Sequence, residues 1–223
     1  MPVDPNAPIE ISAYPWVPPF ARGQVRDFRV RWALEEIGLA YRVRLLAGPK
    51  RPPDYFAEQP WGQVPIYNEG DVHLFECGAI LIHIGEKDER LLPRDTPARM
   101  RAIAWVLAAA NSVDPSVGAI NDIDLFDPGA EWGRLRRPAA VERLHTRFSR
   151  LADWLAGKDW LEGRFTIGDL MMVATIRTVA DKSLIAAHPI LADYVARGES
   201  RPAFQTALAA QFADFVADPT VGE

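Results

Sequence analysis

An α/β domain followed by an all-helical domain is the fold class that this 223-residue sequence predicts, and three observations carry the prediction. Over residues 1–92, short apolar runs and helix-period runs alternate in the order βαβαββα. The stretch Leu91-Leu92-Pro93-Arg94-Asp95-Thr96-Pro97 then breaks the pattern with two prolines, as a linker does. Residues 93–223 contain only apolar stripes at helical spacing. The expected domains are therefore 1–92 and 93–223.

Ile9 to Tyr14 reads as the first strand, with Ile9 and Ile11 alternating against Glu10 and Ser12. A loop rich in proline and aromatic residues follows, from Pro15 to Gly23. Val30, Ala33, Leu34 and Ile37 recur on one helical face, and Gly38 supplies the stop. Tyr41 to Leu46 is a second strand, and a crossover through a helix makes it parallel to the first. After the loop Gly48–Pro53, Asp54 to Gln59 reads as a short helix. Val64–Asn68 and His73–Phe75 read as a hairpin across Glu69-Gly70-Asp71. Ala79, Ile80, Ile82 and Ile84 then supply the buried side of a helix.

In the second half, Asp95 or Thr96 can cap a helix with Pro97 in its first turn. Met100, Ile103, Ala104 and Leu107 form one stripe, and Val141, Leu144, Phe148, Leu151 and Leu155 a second. Phe204, Leu208, Gln211, Phe212 and Phe215 form a third, mostly apolar, and the three are expected to pack as a bundle. Thr166-Ile167-Gly168-Asp169 has the spacing of a capping box, in which Asp169 serves folding rather than catalysis.

Composition narrows the class. With 48% hydrophobic residues the chain can bury a sizeable core, and a net charge of -5 with a pI near 5.5 argues against a nucleic-acid-binding surface. One cysteine excludes an internal disulfide, and with four scattered histidines no metal site is expected. The sequence has neither a secretory leader pattern nor an uncharged 18-residue apolar stretch, so a cytoplasmic protein without membrane partners is expected.

Two short motifs point to chemistry. In Gln63-Val64-Pro65 the proline cannot donate to a sheet ladder, which suggests an edge or turn where the backbone is open to an extended ligand. Glu76-Cys77-Gly78 opens an apolar helix whose free N–H groups attract a carboxylate. An edge for amide pairing and an anion site together make a small-peptide pocket.

On these residues the chain resembles the glutathione S-transferase superfamily, in its bacterial-type cytosolic form, along nearly its whole length. The resemblance implies a thioredoxin-like first domain in which the Val64 backbone binds the cysteinyl part of glutathione beside Pro65. It also implies a Glu/Gln-Ser pair for the γ-glutamyl end, here Glu76-Cys77 with cysteine in the serine's place. Gln63 and Lys50 complete the implied glutathione contacts, Lys50 as a cation for the glycyl carboxylate, with Arg51 beside it. Glutathione is then a co-substrate, and the resemblance further implies a homodimer.

The family's thiolate-stabilising Tyr, Ser or Cys lies between the first strand and the first helix. Here that stretch has no Ser and no Cys, and Tyr14 is its one hydroxyl. Tyr14 is the first candidate; Arg22, Gln24 or Arg26, through charge or helix-start amides, are the alternatives, and Tyr14 packed at a strand end is the structural reading. Trp16, Phe20 and Trp105 are candidates for an apolar acceptor pocket, with core packing the competing role for Trp105. The function expected is conjugation of glutathione to an apolar electrophilic small molecule. The alternatives are a non-catalytic binding protein of the same fold, or a glutathione-dependent peroxidase or reductase. A maleylacetoacetate-isomerase-like activity is disfavoured by the missing serine- and cysteine-bearing loop.

Overall fold

The computed structural model describes residues 2–46 and 51–216, and these fall into two compact units. The first unit comprises residues up to Leu91 together with the chain from Pro202 onward; the second is Leu92–Arg201.

In the first unit, strands β1 (Ile9–Ala13), β2 (Tyr41–Leu45), β3 (Ile66–Glu69) and β4 (Val72–Phe75) form one sheet of order β2-β1-β3-β4. The β1/β2 pair is parallel and joined through helix α1 (Asp27–Ile37), as a crossover requires, while β3 is antiparallel to both its neighbours. Gly38 ends α1 at φ 71°, a left-handed conformation that glycine adopts without a Cβ clash. Helix α2 (Tyr55–Glu58) is a single turn, and α3 (Cys77–Glu86) follows the hairpin. The buried side of α3 is Cys77, Ile80, Leu81 and Ile84; Ala79 is exposed and Ile82 half-buried, so the expected face is rotated.

Every residue of α1 from Asp27 to Leu34 is buried, more than one amphipathic face can supply. The cause is α10 (Pro202–Ala213), which packs along α1: Phe204 meets Phe28 and Trp32 edge-on, with ring centroids 4.9 and 5.0 Å apart. The stripe on this last helix therefore joins the first unit and not a bundle with the other two stripes.

In the second unit, Asp95 caps α4 (Thr96–Ala108) by accepting from the Ala98 N–H. The helix continues through wide π-type turns and α5 (Asp114–Asn121) to Phe126. By length and composition this 31-residue run is apolar enough to cross a bilayer, with a mean hydropathy of 1.3, and 33% of its apolar window is buried inside the unit. Over α4 and the first residue after it, the buried positions are Ala102, Val106 and Ala109. Met100 and Leu107, at 53% and 50% exposure, point outward, which overturns the expected stripe. Small residues line the contact because α7 (Ile167–Ile176) approaches closely: a Cβ on Gly168 would lie 2.7 Å from the Trp105 Cβ. Helix α6 (Glu131–Leu155) buries Leu144, Phe148, Leu151 and Leu155 of the expected stripe, while its first member, Val141, is half-buried; short α8 (Ser183–Ala186) and α9 (Pro189–Glu199) close the unit.

The capping box of α7 is complete. The Asp169 carboxylate accepts from the Thr166 and Leu161 N–H groups and the Tyr194 hydroxyl, while the Thr166 hydroxyl accepts from the Gly168 N–H. Burial pushes the Asp169 carboxyl up to about 6, against these donors.

Candidate functional site

The site lies wholly in the first unit, where the ends of β1, α1, β3 and α3 converge. The expected strand over Val64–Asn68 begins only at Ile66, whose N–H donates to the Ser12 hydroxyl. Pro65 has no N–H to give, and the Val64-Pro65 bond is cis. Among the described residues no backbone group pairs with the N–H or carbonyl of Val64, which sits in an unpaired stretch leading into an interior strand. That is an open amide edge, where buried backbone groups are as a rule paired.

Two polar residues hold this edge. Tyr55, buried in the cluster of Leu46, Val64 and Ile66, donates its hydroxyl to the Gln63 carbonyl at 2.6 Å and shares a 2.8 Å hydrogen bond with Ser12. Burial raises the Tyr55 phenol above its ordinary value, which keeps it a donor. Sequence reasoning missed both residues. Their signal was a serine at a polar position of the first strand and a tyrosine in a short helix, too common to separate from background.

A cavity of about 230 Å³ beside the edge is lined by Tyr14, Gln24, Val25, Arg26, Gln63 and Val64. It brings together three of the four thiolate-stabiliser candidates, Tyr14, Gln24 and Arg26, with two of the expected glutathione contacts, Gln63 and Val64; Pro65, Glu76 and Cys77 do not line it. Tyr14 is half-buried, its ring packed on the Tyr55 cluster and covered by the Arg51 guanidinium at 4.4 Å. No described residue hydrogen-bonds its hydroxyl. Gln24 donates one amide hydrogen to the Phe20 carbonyl at 2.9 Å and keeps a second. Val25 and Arg26 lead into α1 without a side-chain cap, and no described residue accepts from the Val25 N–H. Arg22 lies elsewhere: its guanidinium stands 5.6 Å from the Phe215 ring centre, and it does not line the cavity.

The start of α3 is tied to this cavity. The Cys77 thiol donates to the Arg26 carbonyl at 3.6 Å, and burial pushes the thiol up, so it is a neutral, small, packed residue and no nucleophile. Glu76, just before it, is exposed and has φ 68° and ψ 117°, a backbone conformation strongly disfavoured for any residue with a Cβ. Strain of this kind costs on the order of 1–3 kcal/mol and concentrates at functional positions. It stands at the start of α3, where no side chain caps the first amides. Nothing in the sequence marks Glu76 as strained.

Lys50 lies outside the described residues. Arg51, next in the chain, covers the Tyr14 ring and also donates to the Gly62 carbonyl. Of the acceptor-pocket candidates, Phe20 is exposed on the short turn Pro19–Ala21, and the Trp16 Nε1 is buried with no acceptor among the described residues. Trp105 belongs to the second unit, where its indole donates to Glu162 at 2.8 Å and stacks near Trp154. A larger concavity of about 510 Å³ in that unit is lined by Asp124, Arg137 and Asp181, an ion-paired triad that leaves the Arg137 charge compensated. Among the described residues no group of His, Cys, Asp and Glu has the disposition of a metal site.

Known proteins share this architecture. Residues 20–86 match the glutathione S-transferase N-terminal domain family. Maleylacetoacetate isomerase of Rhizobium meliloti is 30% identical over 192 residues, 81% of this chain and 90% of the relative. Glutathione S-transferase F10 of Arabidopsis thaliana is 32% identical over 102 residues, 43% of this chain and only about half, 47%, of that relative's length. A glutathione transferase of Burkholderia graminis, solved with two glutathione molecules bound per subunit, superposes with a TM-score of 0.79 at 24% identity, covering 91% of this chain and 88% of that one. The chain belongs to the glutathione S-transferase superfamily, and its first unit has the thioredoxin-like fold expected of the N-terminal half.

Proposed function

We propose that this protein is a glutathione transferase that joins the glutathione thiolate to an apolar electrophilic small molecule. The observation that carries the proposal is the unpaired Val64 backbone beside a cavity walled by the start of α1 and linked to the uncapped start of α3. An extended tripeptide would pair its cysteinyl amides with Val64. Its γ-glutamyl carboxylate would meet the amides of Cys77 and Gly78, its ammonium Glu76, and its glycyl carboxylate the cations of the Lys50-Arg51 loop.

The sulfur then falls among Tyr14, Gln24 and the amides opening α1. The thiol gives up its proton to solvent, donors in the cavity stabilise the sulfur anion, and sulfur attacks the electrophilic carbon. A carbon–sulfur bond forms as the leaving group departs with its electron pair. Tyr14 is the leading donor because its hydroxyl is uncommitted among the described residues. Isomerisation of the kind named for the Rhizobium relative is a second candidate, disfavoured because the loop from Tyr14 to Arg26 offers neither Ser nor Cys. Cys77, buried and neutral, does not supply the thiolate that a reductase would need.

Retention on immobilised glutathione together with thioether formation from a generic aryl halide is the expected result. Retention without turnover would favour a binding protein of this fold, and loss of both would overturn the reading. We further propose a homodimer in the cytoplasm, as in the family; sedimentation showing only monomer at micromolar concentration would refute the dimer.

A further inference from the structure

Gln211 is the one polar member of an apolar face on α10, and it is 1% exposed. Its amide nitrogen donates to the Val25 carbonyl at 3.3 Å and to the Asp27 carboxylate at 2.8 Å. A primary amide has two such hydrogens, so both are spent on the first turn of α1. The reverse orientation of the amide would set its oxygen against two acceptors, so the assignment is fixed by its surroundings. The Gln211 oxygen is left buried without a partner among the described residues, a cost the fold retains.

Around this contact α10 and the residues after it hold the loop that leads into α1. The Val216 N–H donates to the Pro15 carbonyl at 2.8 Å, and Phe215 underlies Arg22. Gly23, at φ 77°, lies so close that a Cβ there would stand 3.0 Å from Leu208 and 3.1 Å from Phe212. Arg31 joins Asp27 at 2.8 Å to Asp214 at 2.5 Å; burial works against its charge, but the two carboxylates outweigh burial and raise its pKa.

We propose that Gln211 is a positioning residue for the glutathione thiolate: by gripping Val25 and Asp27 it fixes the turn whose Val25 N–H and Gln24 amide face the sulfur. It rests on the reading of the cavity as the glutathione site. Gln211 touches no substrate and acts through the peptide unit it holds. The glutathione backbone contacts at Val64 and Glu76 are independent of it.

The test compares two ligands on the full chain. Glutathione reports the thiol titration through thiolate absorbance near 240 nm, and S-methylglutathione, which has no ionisable sulfur, reports docking by calorimetry. In Gln211→Met the bound thiol should titrate about one unit higher, about a three- to eightfold loss of thiolate at pH 7 for a wild-type thiol titrating at about 6.5–7.5, while S-methylglutathione affinity stays within about twofold of wild type. Gln211→Asn, which keeps the amide but is one methylene too short to reach both acceptors, should shift the titration in the same direction and serves if the Met variant does not fold. Asp214→Asn loosens α10 without touching Val25, so it should lower the melting temperature and leave the titration in place. An unshifted titration in both Gln211 variants, or an equal shift in Asp214→Asn, overturns the proposal. Failure of wild type to bind S-methylglutathione would instead overturn the glutathione site itself.

Discussion

Replacing Tyr14 with Phe removes one hydroxyl and little else. The ring keeps its packing against Leu46, Tyr55, Val64 and Ile66, and the Arg51 guanidinium still covers its face. The hydroxyl breaks no described hydrogen bond on leaving, so stability should change by less than about 1 kcal/mol. If that hydroxyl donates to the sulfur anion, its loss forfeits a hydrogen bond to a charge, about 1.5–3 kcal/mol. At 1.36 kcal/mol per unit, this is a shift of about 1–2 units in the bound thiol. A free thiol titrates near 8.5, so a wild-type complex stabilised by Tyr14 alone would titrate at about 6.5–7.5 and the variant near 8.5. The thiolate fraction at pH 7, and with it conjugation under subsaturating electrophile, should fall by about 8- to 25-fold with glutathione affinity little changed. Thiolate absorbance near 240 nm followed against pH reads the shift directly. A superimposable curve for Tyr14→Phe would eliminate Tyr14 and leave the Gln24 amide, the Arg26 charge and the Val25 N–H as the stabilising groups.

Glu76→Gly should relieve the backbone strain at φ 68° and stabilise the fold by about 1 kcal/mol, yet weaken glutathione binding by about 1.5–3 kcal/mol through loss of the carboxylate. Thermal denaturation and calorimetry on one preparation check both signs, and a variant that melts lower and binds normally would contradict the assignment. Asp169 has a carboxyl raised to about 6 from an ordinary value of 3.8, so the folded state holds its proton where the unfolded state has released it. Its contribution is fully present below the unfolded value and is lost as pH rises through the folded one. Relative to Asp169→Asn, wild type should therefore lose about 2 kcal/mol of its advantage between pH 4.5 and 7.5 in denaturant titrations. An advantage that holds constant or grows with pH refutes the raised value.

The parts of this molecule legible in its sequence were those governed by local rules. A helix stop at Gly38, a capping box at Thr166 and Asp169 and a proline that cannot join a ladder each express chemistry within a few residues, and each stands where it was read. The Met100, Ile103 and Leu107 stripe misled because hydrophobicity ranks large residues first. The close approach of α7 at Gly168 instead selects Ala102 and Ala109 for the interface. The placement of α10 was hidden for a different reason. An apolar helical face does not state its partner, and only Phe28 and Trp32, some 170 residues earlier, complete Phe204. At the site, Val64 and Glu76 were readable as motifs; the strain at Glu76 and the Ser12–Tyr55 support arise from tertiary geometry alone.

The return of α10 to the first unit also orders events during synthesis. The sheet and its first three helices leave the ribosome before the 110 residues from Leu92 to Arg201, and only afterwards does the helix that buries Asp27, Arg31 and Trp32 emerge. At about 5–20 residues per second that interval is roughly 5–20 s. Through it the nascent first unit exposes an aromatic flank and a desolvation-prone ion pair, so its folding is coupled to completion of the chain. A release of the first unit as an independent piece would leave that flank bare, and a tag placed close behind α10 would press on the last part of the unit to be assembled.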